Sequence, residues 1–107
     1  MSRFVYSEIV DKASRLLFAK HKVSVSDQYG KCIAPGYTVD ENGGNAVRVS
    51  HRMPEPDLLD VARISDDEMA AERHQMVDAY ASTLEAAGWT VERRGPRSRK
   101  PYLLASR

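Results

Sequence analysis

The sequence predicts an α+β domain: an antiparallel sheet of about four strands with two helices packed on one face, in the order α-β-β-α-β-β. Two segments repeat apolar residues at helical spacing, and two pairs of short segments alternate apolar with polar residues around turn-forming loops. The length of 107 residues fits a single domain. Its two helix–hairpin halves fall at approximately 1–53 and 54–107.

The helix predicted from about Asp66 to Ala87 has the clearest signals. Ser65 followed by Glu68 forms a capping-box pattern, in which side chains satisfy the free amides of the first turn. Gly88 stands where a left-handed residue ends many helices. One apolar stripe runs along the segment: Met69, Met76, Val77, Tyr80, Leu84 and Ala87.

A first helix is predicted from roughly Phe4 to Lys20, since its apolar residues share one face. That face consists of Tyr6, Ile9, Val10, Ala13, Leu16 and Leu17.

Two hairpins complete the sheet, one with strands at 37–39 and 46–50 and the other with strands at 89–93 and 102–105. Alternation along a strand assigns each residue to one face of the sheet. The face toward the helices receives Tyr37, Val39, Val47, Val49, Trp89 and Val91. The face left open to solvent or a partner receives Thr38, Asp40, Arg48, Ser50, Arg52, Thr90, Glu92 and Arg94.

Three further features are less strongly specified. Gly36 and Gly88 are each followed by an aromatic residue, a threonine, a valine and an acid, which suggests a weak internal duplication. Alternation of Val23 and Val25 with serines suggests a short extra strand. Segment 54–64 is rich in apolar residues, and we expect a short helical turn packed on the core there.

Composition limits the classes of function. Cys32 is the sole cysteine, so no disulfide forms within the chain, and a reducing cytoplasm is the expected location. No apolar run reaches the roughly 18 residues of a membrane span, so no membrane partner is expected. The charge is polarised: residues 93–107 carry six basic side chains and no acid, whereas residues 54–87 carry nine acids against two bases. Mutual neutralisation of these two regions across the fold is one explanation.

The chain lacks the motifs of common catalytic and phosphate-loop sites. A metal site built from His51, His74 and an acid is not called for by their spacing. We therefore predict a protein that is not an enzyme, with no catalytic residue, metal or cofactor.

The basic hairpin at 93–100 is the strongest functional signal. Its five cations could bind phosphates through charged hydrogen bonds: Arg93, Arg94, Arg97, Arg99 and Lys100. The open sheet face offers Arg48, Arg52 and Tyr102 as further contacts. A helix that begins Asp66-Asp67-Glu68 is a poor DNA-recognition helix, because its negative charges would face phosphates.

The stretch from Leu84 to Glu92 and the terminal strand Tyr102-Leu103-Leu104-Ala105 resemble small, mostly uncharacterised proteins of actinobacterial phages and integrated elements. This resemblance covers about the last third of the chain. It implies a role in binding either a host protein or nucleic acid, and it implies no catalytic residues.

Three functions stay open at this point. The leading hypothesis is a non-enzymatic phage or mobile-element accessory protein that binds a partner protein, such as a host factor. The alternative is a nucleic-acid-binding regulatory protein that uses the Arg93–Lys100 hairpin. The second alternative is a self-associating structural protein, a homodimer in which the acidic helix of one subunit meets the basic loop of another.

Overall fold

A computed structural model describes residues 8–43 and 45–107 and shows the α+β fold that the sequence predicts. The helices are α1 (Glu8–Phe18) and α2 (Asp66–Ala86). The strands are β1 (Val25–Ser26), β2 (Cys32–Ala34), β3 (Gly36–Glu41), β4 (Ala46–Arg52), β5 (Thr90–Arg94) and β6 (Tyr102–Ser106). The described part of the chain contains no helix long and apolar enough to cross a membrane.

The main sheet has the order β3-β4-β6-β5, and all of its neighbours are antiparallel. Each hairpin therefore joins the other through its second strand. Exchanging the first hairpin with the second gives the same strand order, read from the opposite edge of the sheet. A duplicated helix–hairpin unit would produce this symmetry. Duplication itself stays a prediction.

A second, two-stranded sheet pairs β1 with β2, so the extra strand suggested by Val23 and Val25 is present as a short ribbon. The ribbon is tied to the main sheet by a parallel bridge between Val23 and Tyr37. Gly36 makes this approach feasible, because a Cβ at that position would collide with the backbone of residues 22–24.

The core lies between the helices and one face of the main sheet, and the predicted assignment of faces is confirmed. Tyr37, Val47, Val49 and Trp89 are buried in it, and Val39 and Val91 pack against it. The helices contribute a further set of buried side chains: Ala13, Leu17, Val77, Tyr80, Ala81 and Leu84. Leu103 and Ala105 complete the core from β6.

The predicted N-cap Ser65 and the predicted left-handed Gly88 are confirmed, and of the two amides of the capping box the structure shows that of Glu68 satisfied. The amide of Glu68 donates to the Ser65 hydroxyl over 3.1 Å, and that hydroxyl donates to the Glu68 carboxylate over 3.2 Å. At the other end Gly88 has φ +90°, and the amide of Trp89 donates to the carbonyl of Leu84. This turn directs the chain straight into β5.

Two expectations need correction. Helix α1 ends at Phe18, two residues before Lys20, and its predicted start at Phe4 with Tyr6 lies outside the described residues. Segment 54–64 contains turns, but it is not packed on the core: Leu58, Leu59 and Val61 are exposed, Leu59 to 92%. The carboxylates of Asp57 and Asp60 accept backbone amides and, with two i→i+3 backbone hydrogen bonds, stabilise these turns without contacts to the core.

Candidate anion-binding site

The basic hairpin predicted from the sequence does not present its cations in one direction. Arg93 turns toward α2, where its Nε lies 2.9 Å from Asp78 and its Nη2 lies 3.2 Å from Glu85. Hydrogen bonds to Glu85 and then Asp78 raise the pKa of the Arg93 guanidinium. These contacts neutralise the charge of Arg93 within the chain.

The other arginines of the hairpin also lie on different surfaces of the molecule. Arg94 pairs with Glu92 over 3.3 Å on the open face, and Arg99 pairs with Asp67 over 3.2 Å at the start of α2. Arg97 makes no ion pair with any described residue. The acidic helix and the basic terminus thus neutralise each other in part.

A concave pocket of about 370 Å³ lies where β4 ends and β6 begins. It starts on the open face of the sheet, with Thr38, Arg48 and Ser50, and continues round the end of the sheet to Arg73 on α2. We call this concavity the basic pocket. It gathers the three predicted open-face residues, Arg48, Arg52 and Tyr102, together with Lys100 of the hairpin.

Five cations line the basic pocket, and they come from segments that are far apart in the chain. They are Lys31, Arg48, Arg52, Arg73 and Lys100. Among the described lining residues Glu55 is the one carboxylate. The whole chain has a net charge of only +1, so positive charge is strongly concentrated at this pocket.

The geometry of the pocket is fixed by its own contacts. The Arg48 guanidinium carbon lies 4.1 Å from the centre of the Tyr102 ring, a cation–π arrangement that holds the two side chains against each other. Arg52 donates to the Ser26 hydroxyl over 2.9 Å and also to the carbonyl of Gly30. It therefore fastens the β1–β2 ribbon to the end of β4, beside Lys31.

Hydroxyl groups line the sheet side of the basic pocket. Thr38 and Ser50 face each other across β3 and β4 with 2.8 Å between their oxygens. One hydroxyl donates in this pair, and the other keeps a hydrogen for a further acceptor. Guanidinium, ammonium and hydroxyl donors together suit an oxyanion such as phosphate.

A second cavity of about 280 Å³ continues from the first. The two share Met53, Glu55, Arg73 and Lys100. Its remaining lining is mixed: Pro54, Pro56 and Met69 are apolar, while Asp66 and Arg99 are charged. The two cavities make a groove longer than one anionic group needs.

His51, which lines the pocket, forms a hydrogen-bonded triad with the buried Tyr80 and with Glu72, whose side chain is 41% exposed. His51 Nδ1 lies 2.6 Å from the Tyr80 hydroxyl, and His51 Nε2 lies 2.9 Å from Glu72. Both ring nitrogens of His51 are thus used by protein partners, which gives the histidine a structural role. Burial, followed by the charge of Glu72, raises the pKa of the Tyr80 phenol well above its usual value.

His74, the other residue weighed as a metal ligand, lies elsewhere and contacts the carbonyl of Ser98 over 2.7 Å. Within residues 8–43 and 45–107, no group of three or more His, Cys, Asp or Glu side chains has the proximity that a metal ion needs.

Comparison with known proteins gives no relative: no family model, no curated protein and no solved structure matches this chain. Sequence reasoning missed Lys31 and Arg73 as site residues, since only the ribbon and the packing of the N-terminal half of α2 bring them near β4. Arg93 could have been placed correctly, because it alternates with Val91 and so belongs to the helix face.

Proposed function

We propose that this protein is a non-enzymatic nucleic-acid-binding protein that contacts phosphates through the basic pocket. The observation that carries the proposal is the convergence of five cations from separate segments on one concave surface beside a single carboxylate. Phosphate contacts by Lys and Arg supply most of the non-specific affinity of nucleic-acid-binding proteins. The pocket thereby replaces the hairpin as the centre of the nucleic-acid hypothesis, and of the hairpin residues Lys100 lines it.

The shape of the pocket favours a single strand over a duplex. A concavity of about 370 Å³ accepts a protruding phosphate and sugar, whereas a duplex presents a convex cylinder. The planar Arg48 guanidinium, which lies over the Tyr102 ring, offers a surface on which an unpaired base would stack. The adjoining cavity extends the path for the next nucleotide.

The experiment is fluorescence anisotropy with a labelled single-stranded oligonucleotide of mixed sequence, as DNA and as RNA, over a range of salt concentrations. Five phosphate contacts predict a slope of log affinity against log salt of roughly −3.5 for a single strand. The variant Lys31→Ala/Arg48→Ala removes two pocket charges and should make the slope shallower by about 1.4. An unlabelled duplex of the same sequence should compete poorly.

The matched control is Arg94→Ala/Arg97→Ala, which also removes two exposed positive charges, but from the hairpin. Under the pocket hypothesis this variant keeps the wild-type slope to within about 0.5. Absence of salt-dependent binding in the wild type refutes the proposal. A larger loss in the hairpin variant than in the pocket variant returns the site to the hairpin that the sequence predicts.

A second candidate function is the binding of a partner protein, which is the leading hypothesis from the sequence. Its specific support is the exposure of Leu58, Leu59 and Val61, because apolar residues clustered on a monomer surface often mark an interface. Its test is whether Leu59→Asp abolishes a protein complex that the wild type forms. Origin in a phage or mobile element and a cytoplasmic location stay predictions.

A further inference from the structure

Two exposed surfaces on this chain are complementary to each other in charge. The first, here called the acidic segment, covers residues 55–61. It exposes Leu58, Leu59 and Val61 between carboxylates that belong to Glu55, Asp57 and Asp60. Within residues 55–61 there is no basic residue to balance them.

The second surface, here called the lysine ribbon, covers residues 18–33 and includes β1 and β2. It exposes five large apolar side chains: Phe18, Val23, Val25, Tyr29 and Ile33. Lys20, Lys22 and Lys31 are interspersed among them and exposed. The ribbon contains one acid, Asp27, whose carboxylate accepts the backbone amides of Tyr29 and Lys31 and offsets one of the three lysine charges. The ribbon thus combines apolar side chains with net positive charge.

The acidic segment is held in a defined shape without contacting the core. The Asp57 carboxylate accepts the amide of Leu59 over 2.9 Å, and the Asp60 carboxylate accepts the amide of Ala62 over 2.9 Å. Backbone turns from Asp57 to Asp60 and from Asp60 to Arg63 follow one another. Such preorganisation lowers the entropy lost when the segment binds.

We propose that the acidic segment of one copy of this chain docks on the lysine ribbon of a second copy. Each surface supplies what the other lacks: the carboxylates of Asp57 and Asp60 meet the ammonium groups of Lys20 and Lys22, and exposed apolar side chains meet exposed apolar side chains. A foreign partner would have to supply both features, whereas a second copy already carries them.

A symmetric dimer would contain two equivalent contacts, in each of which the acidic segment of one copy meets the lysine ribbon of the other. The positions of the two surfaces allow both contacts to form at once. Arg52 at the end of β4 bonds to the ribbon at Ser26 and Gly30, and the acidic segment begins three residues later at Glu55. Both surfaces therefore adjoin the same end of the sheet. A two-fold axis near this end makes the two contacts equivalent, as a symmetric dimer requires. This differs from the predicted pairing of α2 with the basic hairpin, whose charges are paired within one chain.

The experiment is analytical ultracentrifugation of the full chain at low and high salt over a wide range of concentration. The wild type should change from a 12.0 kDa monomer to a species of twice that mass as concentration rises, and high salt should weaken the change. Leu59→Asp/Val61→Asp disrupts the acidic segment, and Lys20→Glu/Lys22→Glu disrupts the ribbon. Each should abolish the dimer, and circular dichroism checks that each variant is folded.

Mixing the two variants provides the decisive measurement. One variant keeps an intact ribbon and the other an intact acidic segment, so a mixture should regain a weaker dimer with one good contact. The control Gln75→Asp/Ser82→Asp adds two charges at exposed positions of α2 and should dimerise like the wild type. A wild type that stays monomeric at every concentration overturns the proposal and leaves the exposed segment to a foreign partner. A dimer that survives both surface variants overturns it as well.

Discussion

Replacing Tyr80 by Phe tests how much the hydrogen-bonded triad contributes to stability. Tyr80 is fully buried, and its hydroxyl contacts His51 Nδ1 over 2.6 Å. Phenylalanine fills the same volume but leaves that nitrogen buried without a partner. The lost hydrogen bond and the unsatisfied group predict a decrease of about 1–3 kcal/mol in the free energy of unfolding. For a domain of this size a decrease of 2 kcal/mol lowers Tm by roughly 8–16 °C.

The same variant makes a prediction for pH. Because the pKa of Tyr80 is raised in the folded state, the folded protein holds its phenolic proton more tightly than the unfolded chain does. The associated stability is complete below the unfolded pKa of about 10 and is lost as pH rises above it, by up to about 1.4 kcal/mol per pH unit. Tyr80→Phe should make this alkaline loss shallower, and Tyr37, whose pKa burial also raises, should retain part of it.

Urea denaturation followed by circular dichroism, repeated between neutral and alkaline pH, measures both effects. Tyr29→Phe is the matched control, because Tyr29 is 85% exposed and should change stability by less than about 0.5 kcal/mol. The reasoning fails if Tyr80→Phe behaves like this control at neutral pH. It also fails if the alkaline dependence of the variant equals that of the wild type.

Two further predictions concern backbone positions. Gly36→Ala places a Cβ against the backbone of residues 22–24, so we expect a loss of about 2 kcal/mol or more, measured by chemical denaturation. The control variant Ala46→Gly in strand β4 introduces no clash and should lower the free energy of unfolding by at most about 1 kcal/mol. Ser65→Ala removes the acceptor for the amide of Glu68 and should cost about 1 kcal/mol. Ser65→Asp, which restores an acceptor, should recover most of that loss, and failure to do so contradicts the capping argument.

Elements defined by local chemistry were predictable from the sequence. Ser65 with Glu68 gave the start of α2, Gly88 gave its end, and alternation through Val47 and Val49 gave the buried face of β4. In each case the deciding interaction joins residues that are close in the chain. The order β3-β4-β6-β5 was not predicted, because the pairing of β4 with β6 joins residues more than fifty positions apart.

The errors arose where local composition and tertiary structure disagree. Apolar residues at Leu58, Leu59 and Val61 favoured a packed turn, but carboxylate-stabilised turns hold them away from the core. Five basic residues within 93–100 favoured a single binding loop. Tertiary contacts divide them, because α2 passes beneath the loop and offers acids to Arg93 and Arg99.

The ion pairs between the hairpin arginines and the acids of α2 determine which cations are available to a polyanion. Arg93 and Arg99 face carboxylates of α2, so an approaching phosphate has to compete with those partners. Arg48 has no carboxylate partner among the described residues and lies over the Tyr102 ring, which holds it in place without neutralising it. A free cation held in a concavity interacts with a phosphate more strongly than a paired one on a convex loop. Under the proposal above, the acids of α2 therefore make Arg93 and Arg99 weaker sites for an anionic ligand than the basic pocket.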